Sequence, residues 1–285
     1  MKLVKTIAAA RKLVAEWRKE GKKIALVPTM GALHEGHLSL IKEAKKHAEV
    51  VVVSDFVNPT QFGPNEDFAK YPRTLKEDCA ACEKAGVAAV FAPSPEEMYF
   101  PNRSVWVNEE ALSAFLCGAK RPGHFRGVCT VVAKLFLIFQ PDVACFGKKD
   151  AQQLLILERM VRDLNFPIKV IECPLIREPN GLARSSRNKY LNAEERKQAL
   201  CLSQALKAGE AAVKAGKTVA AVKKAMEDII KKAPLAKIDY VSVCDRETLL
   251  EVKKFIPGEK LLLALAVYVG KTRLIDNVWL TFPKK

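Results

Sequence analysis

The chain has 285 residues, 49% of them hydrophobic, and its 47 Lys and Arg against 32 Asp and Glu give a formal charge of +15. That balance excludes a disordered chain and a disulfide-stapled miniprotein, and the length suggests about two domains at roughly 150 residues each. No apolar run reaches the ~20 residues of a membrane-crossing helix. Arg11 and Lys12 interrupt the N-terminus where a secretory signal would need its apolar stretch, so a cytoplasmic location is expected. The charge is uneven: residues 1–176 carry +5 and residues 177–285 carry +10. Such a balance suits anionic ligands, whether nucleotides, polyphosphates or nucleic acid; the alternative is a solvated Lys-rich surface.

In chain order, the apolar spacing of Val4, Ile7, Ala8, Leu13 and Val14 predicts a helix over 4–19. The run 24–27, ended by Pro28, reads as a strand, and 36–47 as a helix. Four consecutive valines at 50–53 read as a strand covered on both faces. A helix over 74–84, a strand over 87–91, an apolar helix over 127–139, a strand over 143–146, a helix over 150–162 and a strand over 168–171 follow. This alternation predicts an α/β fold, a parallel sheet with helices on both faces, whose strand ends gather loops along one edge. Beyond Ile176 the pattern changes: helices over 193–215 and 219–232 precede strands over 238–243, 261–269 and 273–280, a smaller α+β domain. The expected domains are therefore 1–176 and 177–285, divided near the loop that carries Pro179, Asn180 and Gly181. Of eight cysteines only Cys79 and Cys82 form a CxxC; without a second pair at zinc spacing, buried structural thiols are the expectation, with redox chemistry the alternative.

Five strings carry chemical potential. In LVPTMGALHEGHLSLI, residues 26–41, a strand ends, a Pro-Thr-Met-Gly turn follows, and His34-Glu35-Gly36-His37 opens a helix. The i, i+3 spacing aims both imidazoles the same way, at a helix N-terminus whose free N–H groups favour an anion. A phosphate-binding device is the reading; a metal pair or structural histidines are the alternatives. In PNGLARSSRNKYL, residues 179–191, Ser185, Ser186 and Arg187 suit nucleotide phosphates, though a polar linker would look similar. In FGKKDAQQL, residues 146–154, Lys149 could neutralise phosphate, and Asp150 could accept from ribose hydroxyls or cap a helix. FVNPTQF, residues 56–62, offers the amides Asn58 and Gln61 at a strand end to a small hydroxylated acid, or simply a turn. RPGHFRGV, residues 121–128, brings His124 and Arg126 to an apolar helix as a mobile lid or an N-terminal loop.

Together these strings, with VNPTQFGPNEDFAKYPR and the C-terminal RLIDN, resemble the pantothenate synthetase (pantoate–β-alanine ligase) family, within the wider HxGH nucleotidyltransferase group, over nearly the whole chain. The resemblance implies a Rossmann-like first domain, a smaller C-terminal lid domain and a homodimer without nucleic-acid or membrane partners. The implied reaction joins pantoate to β-alanine through pantoyl-adenylate, with ATP as substrate and Mg2+ on its phosphates; metal ligands stay unassigned. By match, Met30, Gly31, Ala32, Leu33, His34, Glu35, Gly36 and His37 would line the ATP site, with His34 and His37 on phosphates and His37 the proton donor to the leaving group. Gly147, Lys148, Lys149 and Asp150 would hold ATP, with Lys149 on phosphate and counted among the catalytic groups. Ile176 would meet adenine by its backbone, and Arg184, Ser185, Ser186 and Arg187 would close over the triphosphate. Gln61 and Gln153, with Asn58 nearby, would hold pantoate and β-alanine. Three residues depart from the family pattern: Asp55 stands where Ile is usual, Lys148 where Glu or Gln is usual, and Arg184 where Met or Leu is usual. The competing readings are adenylyl transfer to a phosphate by another HxGH enzyme, a basic nucleic-acid binder, and a catalytically impaired protein of the same fold.

Overall fold

The computed structural model describes residues 1–64 and 66–284. The elements in chain order are β1 (Lys2–Val4), α1 (Ile7–Lys19), β2 (Ile24–Thr29), α2 (Glu35–Ala44), β3 (Val50–Asp55), α3 (Leu75–Lys84), β4 (Ala89–Phe91), α4 (Pro95–Met98), α5 (Leu116–Lys120), α6 (His124–Phe139), β5 (Val143–Gly147), α7 (Ala151–Asp163), β6 (Lys169–Cys173), α8 (Ala193–Gln198), α9 (Leu200–Lys214), α10 (Val219–Ile230), β7 (Ala236–Asp245), β8 (Lys260–Val269) and β9 (Thr272–Thr281). They form two compact units. The first is Met1–Glu110, Arg121–Lys148 and Gln153–Pro174; the second is Ala111–Lys120, Lys149–Gln152 and Leu175–Lys285.

In the first unit six strands form one sheet in the order β1-β4-β3-β2-β5-β6, and every pairing is parallel. The four valines of β3 are all buried, as a central strand between two covered faces requires. Each contributes about 1.5–3 kcal/mol of hydrophobic stabilisation relative to exposure. Ala25, Val27, Val51 and Val53 pack with Leu40, Ile41 and Ala44 of α2 and Cys82 of α3. The alternate residues Ile24, Leu26 and Val52 are equally buried on the opposite face, where α6 lies against β2 and α1 against α6. The chain steps from β2 to β3 to β4 in one direction, then returns to place β5 and β6 on the far side of β2. The carboxyl ends of β2 and β5 therefore flank the point where strand order reverses, the place where such sheets bind ligands.

In the second unit β7, β8 and β9 form an antiparallel meander with an irregularity between Ile238 and Tyr240. The helices α9 and α10 cover one face, burying Leu202, Leu206, Val222 and Met226 against Leu263 and Leu265.

Two expected helices are corrected. Lys2–Val4 is a strand on β4, with Val4 opposite Phe91, and the helix starts only at Ile7 because the Thr6 hydroxyl accepts the Ala9 N–H at 3.2 Å. The segment 193–215 is two helices that break at Ala199.

Candidate active site

The 26–41 segment forms a closely bonded turn at the end of β2. The Thr29 hydroxyl donates to the Ser54 carbonyl at 2.6 Å and accepts the Gly31 N–H at 3.2 Å. Gly31 and Ala32 both lie in left-handed backbone, at φ +76° and +51°. Glycine adopts that conformation freely, whereas Ala32 is strained there. The strain is held by Asp78 of α3, buried to 3% exposure: its Oδ2 accepts the Ala32 N–H at 2.8 Å and its Oδ1 the Leu33 N–H at 2.7 Å. The Thr74 hydroxyl donates to the same carboxylate at 2.9 Å.

The two histidines then cap α2 reciprocally. His34 Nδ1 accepts the Gly36 N–H at 3.1 Å, and His37 Nδ1 accepts the His34 N–H at 3.3 Å. The rings stack with centroids 4.1 Å apart. An Nδ1 that accepts leaves the proton of a neutral ring on Nε2. Both half-buried imidazoles thus carry an Nε2–H donor away from the backbone, at the positive end of a helix.

The loop after β3 meets this turn. Gln61 Nε2 donates to Met30 Sδ at 3.2 Å, and its Oε1 accepts from Asn58 Nδ2 at 2.9 Å. Asn58 is buried and fully occupied within the protein: its Nδ2 also donates to the Gly127 carbonyl, and its Oδ1 accepts from Tyr99 OH at 2.8 Å and Thr60 Oγ1 at 2.9 Å. It fixes Gln61 rather than extending toward solvent. The 121–128 segment clamps the same residue from the other side. His124 Nδ1 lies 2.8 Å and Arg121 Nη2 3.4 Å from the Gln61 carbonyl, and Arg121 makes a two-pronged ion pair with Glu66 at 2.6 Å. Burial pushes the Glu66 carboxyl up, but the Arg121 hydrogen bonds and charge bring it below its ordinary range. Gly127 allows this approach, because a side chain there would collide with the Thr60 carbonyl.

At the end of β5, Gly147 pairs with Cys173, and Lys148 Nζ lies 2.8 Å from Glu172 on β6. The added cation is thus matched by a neighbouring carboxylate. Gln153 is half-buried in the first turn of α7.

The second unit holds the remaining candidates. Lys149 Nζ is 3.2 Å from Asp150 Oδ1, and Asn277 of the RLIDN string donates to the Lys149 carbonyl at 2.8 Å. Gln152, beside Gln153 in sequence, is occupied by Cys117 N–H and by the Leu112 and Phe115 carbonyls. The Ile176 carbonyl accepts the Arg184 N–H at 3.0 Å. Ser185 caps a short 3-10 turn by accepting the Arg187 N–H at 3.3 Å; Ser186 is buried and Arg187 half-buried. Arg184 lies 3.9 Å from Glu178, which Arg196 holds at 2.6 Å. Burial again works against that carboxylate, and the Arg196 and Asn188 hydrogen bonds bring Glu178 below its ordinary range.

A family sequence profile described as Pantoate-beta-alanine ligase matches residues 2–279. The pantothenate synthetase of Moorella thermoacetica is 58% identical over 279 residues, covering 98% of each chain. That of Clostridium novyi is 56% identical over 272 residues, covering 95% of each. The crystal structure of pantothenate synthetase from Thermus thermophilus superposes with a TM-score of 0.92 at 45% identity, covering 98% of this chain and 99% of that one.

The chain belongs to the pantoate–β-alanine ligase family.

It is therefore an enzyme of the ligase class, and the family's six-stranded parallel sheet with a small antiparallel second sheet is the fold seen here. A further ligase, from Francisella tularensis, was solved in complex with beta-gamma ATP and beta-alanine; it is 34% identical with a TM-score of 0.80, covering 98% of this chain and 97% of that one. No sequence motif points to Asp78 or to the Arg121–Glu66 pair. Asp78 sits in an ordinary acidic first helical turn, LKED, and nothing local signals that it reaches back to residues 32 and 33. The 121–128 segment proves to be the clamp on Gln61, with its histidine buried. The cysteines are all free thiols and seven of the eight are buried.

Proposed function

We propose that this ligase joins pantoate to β-alanine in two steps. A pantoate carboxylate oxygen attacks the α-phosphorus of ATP; the bond to the β-phosphate breaks and pyrophosphate leaves. The β-alanine amine then attacks the acyl carbon of pantoyl-adenylate, AMP leaves with the electron pair of the broken C–O bond, and the amine proton passes to solvent. Negative charge builds on the phosphate oxygens in the first step, so donors fixed beforehand lower the barrier without reorganising.

The observation that carries this reading is the reciprocal imidazole cap at the switch point of the sheet. It commits both Nδ1 atoms to the backbone, which leaves the proton of each neutral ring on Nε2, and Met30 at the start of the same turn meets Gln61. On this reading residues 30–37 take the triphosphate, with His37 protonating the leaving pyrophosphate. Gln61 and Gln153 hold pantoate, Gln61 lies near β-alanine, and Asn58 serves by fixing Gln61. Gly147 and Lys148, with Lys149 and Asp150, bind the nucleotide, and Ile176 with Arg184 to Arg187 bind adenine and phosphates. Residues 1–176 then supply most of the nucleotide- and pantoate-binding groups and 177–285 the smaller C-terminal domain, with 111–120 and 149–152 folded into the second unit. The beta-gamma ATP and beta-alanine bound by the Francisella relative support the substrate set.

ATP enters with Mg2+ on its phosphates, and the ion is assigned to the substrate. Among the described residues no group of three or more His, Cys, Asp or Glu is placed to hold a metal. A nucleotide-bound Mg2+ fits that, because phosphates and waters supply most of its octahedral shell. A homodimer is part of the same proposal, tested by sedimentation of the purified chain. Coupled detection of AMP tests the reaction: release that needs pantoate, β-alanine and ATP together supports it, and release without either acid refutes it.

A further inference from the structure

Asp55 ends β3 directly beside Thr29 in register, so its side chain lies beneath the turn that follows β2. A Cβ at Gly31 would collide with Asp55 Oδ1. The other oxygen, Oδ2, is buried without a hydrogen-bond partner among the described residues. The Asp78 carboxylate binds the next two residues of the same turn, Ala32 and Leu33, so the two acidic side chains meet around residues 31–33. Two neighbouring buried carboxyls with no cation between them do not both ionise; one keeps its proton. Asp78 is already committed to accepting from Ala32, Leu33 and Thr74, so Asp55 is the group that keeps the proton. The titratable groups facing Asp55 are Asp78, Cys79 and Cys82, all on α3; no cation pairs with it among the described residues. Burial first, then the neighbouring Asp78 charge, raise Asp55 to about 7.

We propose that Asp55 is a positioning residue for the nucleotide turn: its neutral carboxylic acid, beside Asp78, braces residues 31–33, and loss of that proton loosens the turn. Ionised Asp55 would put two negative charges in contact in a poorly solvated place. Asp78 is the anchor for the strained Ala32 backbone, so the repulsion acts on the turn that leads into His34. An Ile at position 55, which cannot ionise, would remove this pH response.

The nucleotide arm of the inference rests on the proposed function; the structural arm does not. In the ligand-free full chain, amide hydrogen exchange at Ala32 and Leu33 is measured against pH. After correction for intrinsic exchange, protection is expected to fall about tenfold from pH 6 to pH 8.5. In Asp55→Asn, whose amide cannot ionise, it is expected to stay flat. Asp55→Ile provides the second comparison should the Asn variant fail to fold. In parallel, Mg–ATP binding by calorimetry should weaken with pH relative to the Asn variant by several-fold, with the inflection near the Asp55 titration seen by carboxyl-carbon NMR. Equal protection in wild type and variants across the range, or an Asp55 resonance that titrates near 4, overturns the brace. Absence of ATP binding at every pH would instead refute the proposed function while leaving the exchange result to judge Asp55.

Discussion

Each imidazole of the 34–37 turn uses Nδ1 on the backbone, so a substitution there removes a cap and, on the proposed function, a phosphate donor at once. His37→Ala is expected to lower the adenylation rate about 10²–10³-fold, the range for one lost transition-state donor. Single-turnover kinetics check this, and an unchanged rate would remove His37 from the chemistry. Asn58 was legible as an amide at a strand end, but not as a structural one. Its partners Tyr99 and Gly127 lie 41 and 69 positions away, beyond any local pattern. Asn58→Ala is expected to cost about 1–3 kcal/mol of stability, because Tyr99 OH and the Gly127 carbonyl lose a buried partner. It is also expected to raise the KM for pantoate, by releasing Gln61; urea unfolding and steady-state kinetics read the two effects separately. For Asp55 the folded-state value of about 7 stands above the ordinary 3.8. Between those values the folded chain holds the proton and the unfolded chain does not, so stability falls as pH rises through that window. Asp55→Ile is then more stable than wild type at pH 8, by roughly 1–4 kcal/mol, with the gap narrowing toward pH 4. Thermal unfolding against pH shows whether it does.

At the scale of elements, the strands of the parallel sheet were legible because burial on both faces needs unbroken apolar runs, and 24–27, 50–53 and 143–146 supply them. The strand Lys2–Val4 was not, because three residues carry no period and Val4 fits the apolar stripe of the helix that follows. The break at Ala199 was hidden for a similar reason: no Gly or Pro marks it, and helix-forming residues flank it on both sides. The approach of α6 to the 58–61 loop depends on a single missing side chain. Gly127→Ala would press a methyl group into the Thr60 carbonyl, backbone that cannot rotate away. A loss of about 1–3 kcal/mol is expected from such overpacking. Denaturant unfolding measures it, and a rise in the KM for pantoate should accompany it through Gln61.

For the whole molecule, the sequence changes from alternating strands and helices to two helices and a meander near residue 176, but nothing in that change marks Ala111–Lys120 and Lys149–Gln152, which fold with the second unit. Those segments are placed by contacts far along the chain: Cys117 Sγ meets Tyr240 OH at 3.3 Å, and Lys120 lies 3.9 Å from Asp239. A fragment of residues 1–176 would leave residues 111–120 without these partners. It is expected to bind a hydrophobic dye and lose cooperative unfolding, whereas a sharp transition would show that the fragment is self-sufficient. The chemistry proposed at the paired imidazoles is read out by isotope exchange between pyrophosphate and ATP. Exchange that requires pantoate, proceeds without β-alanine and collapses in His37→Ala is the predicted result; exchange that is indifferent to pantoate, or absent until β-alanine is added, would contradict it.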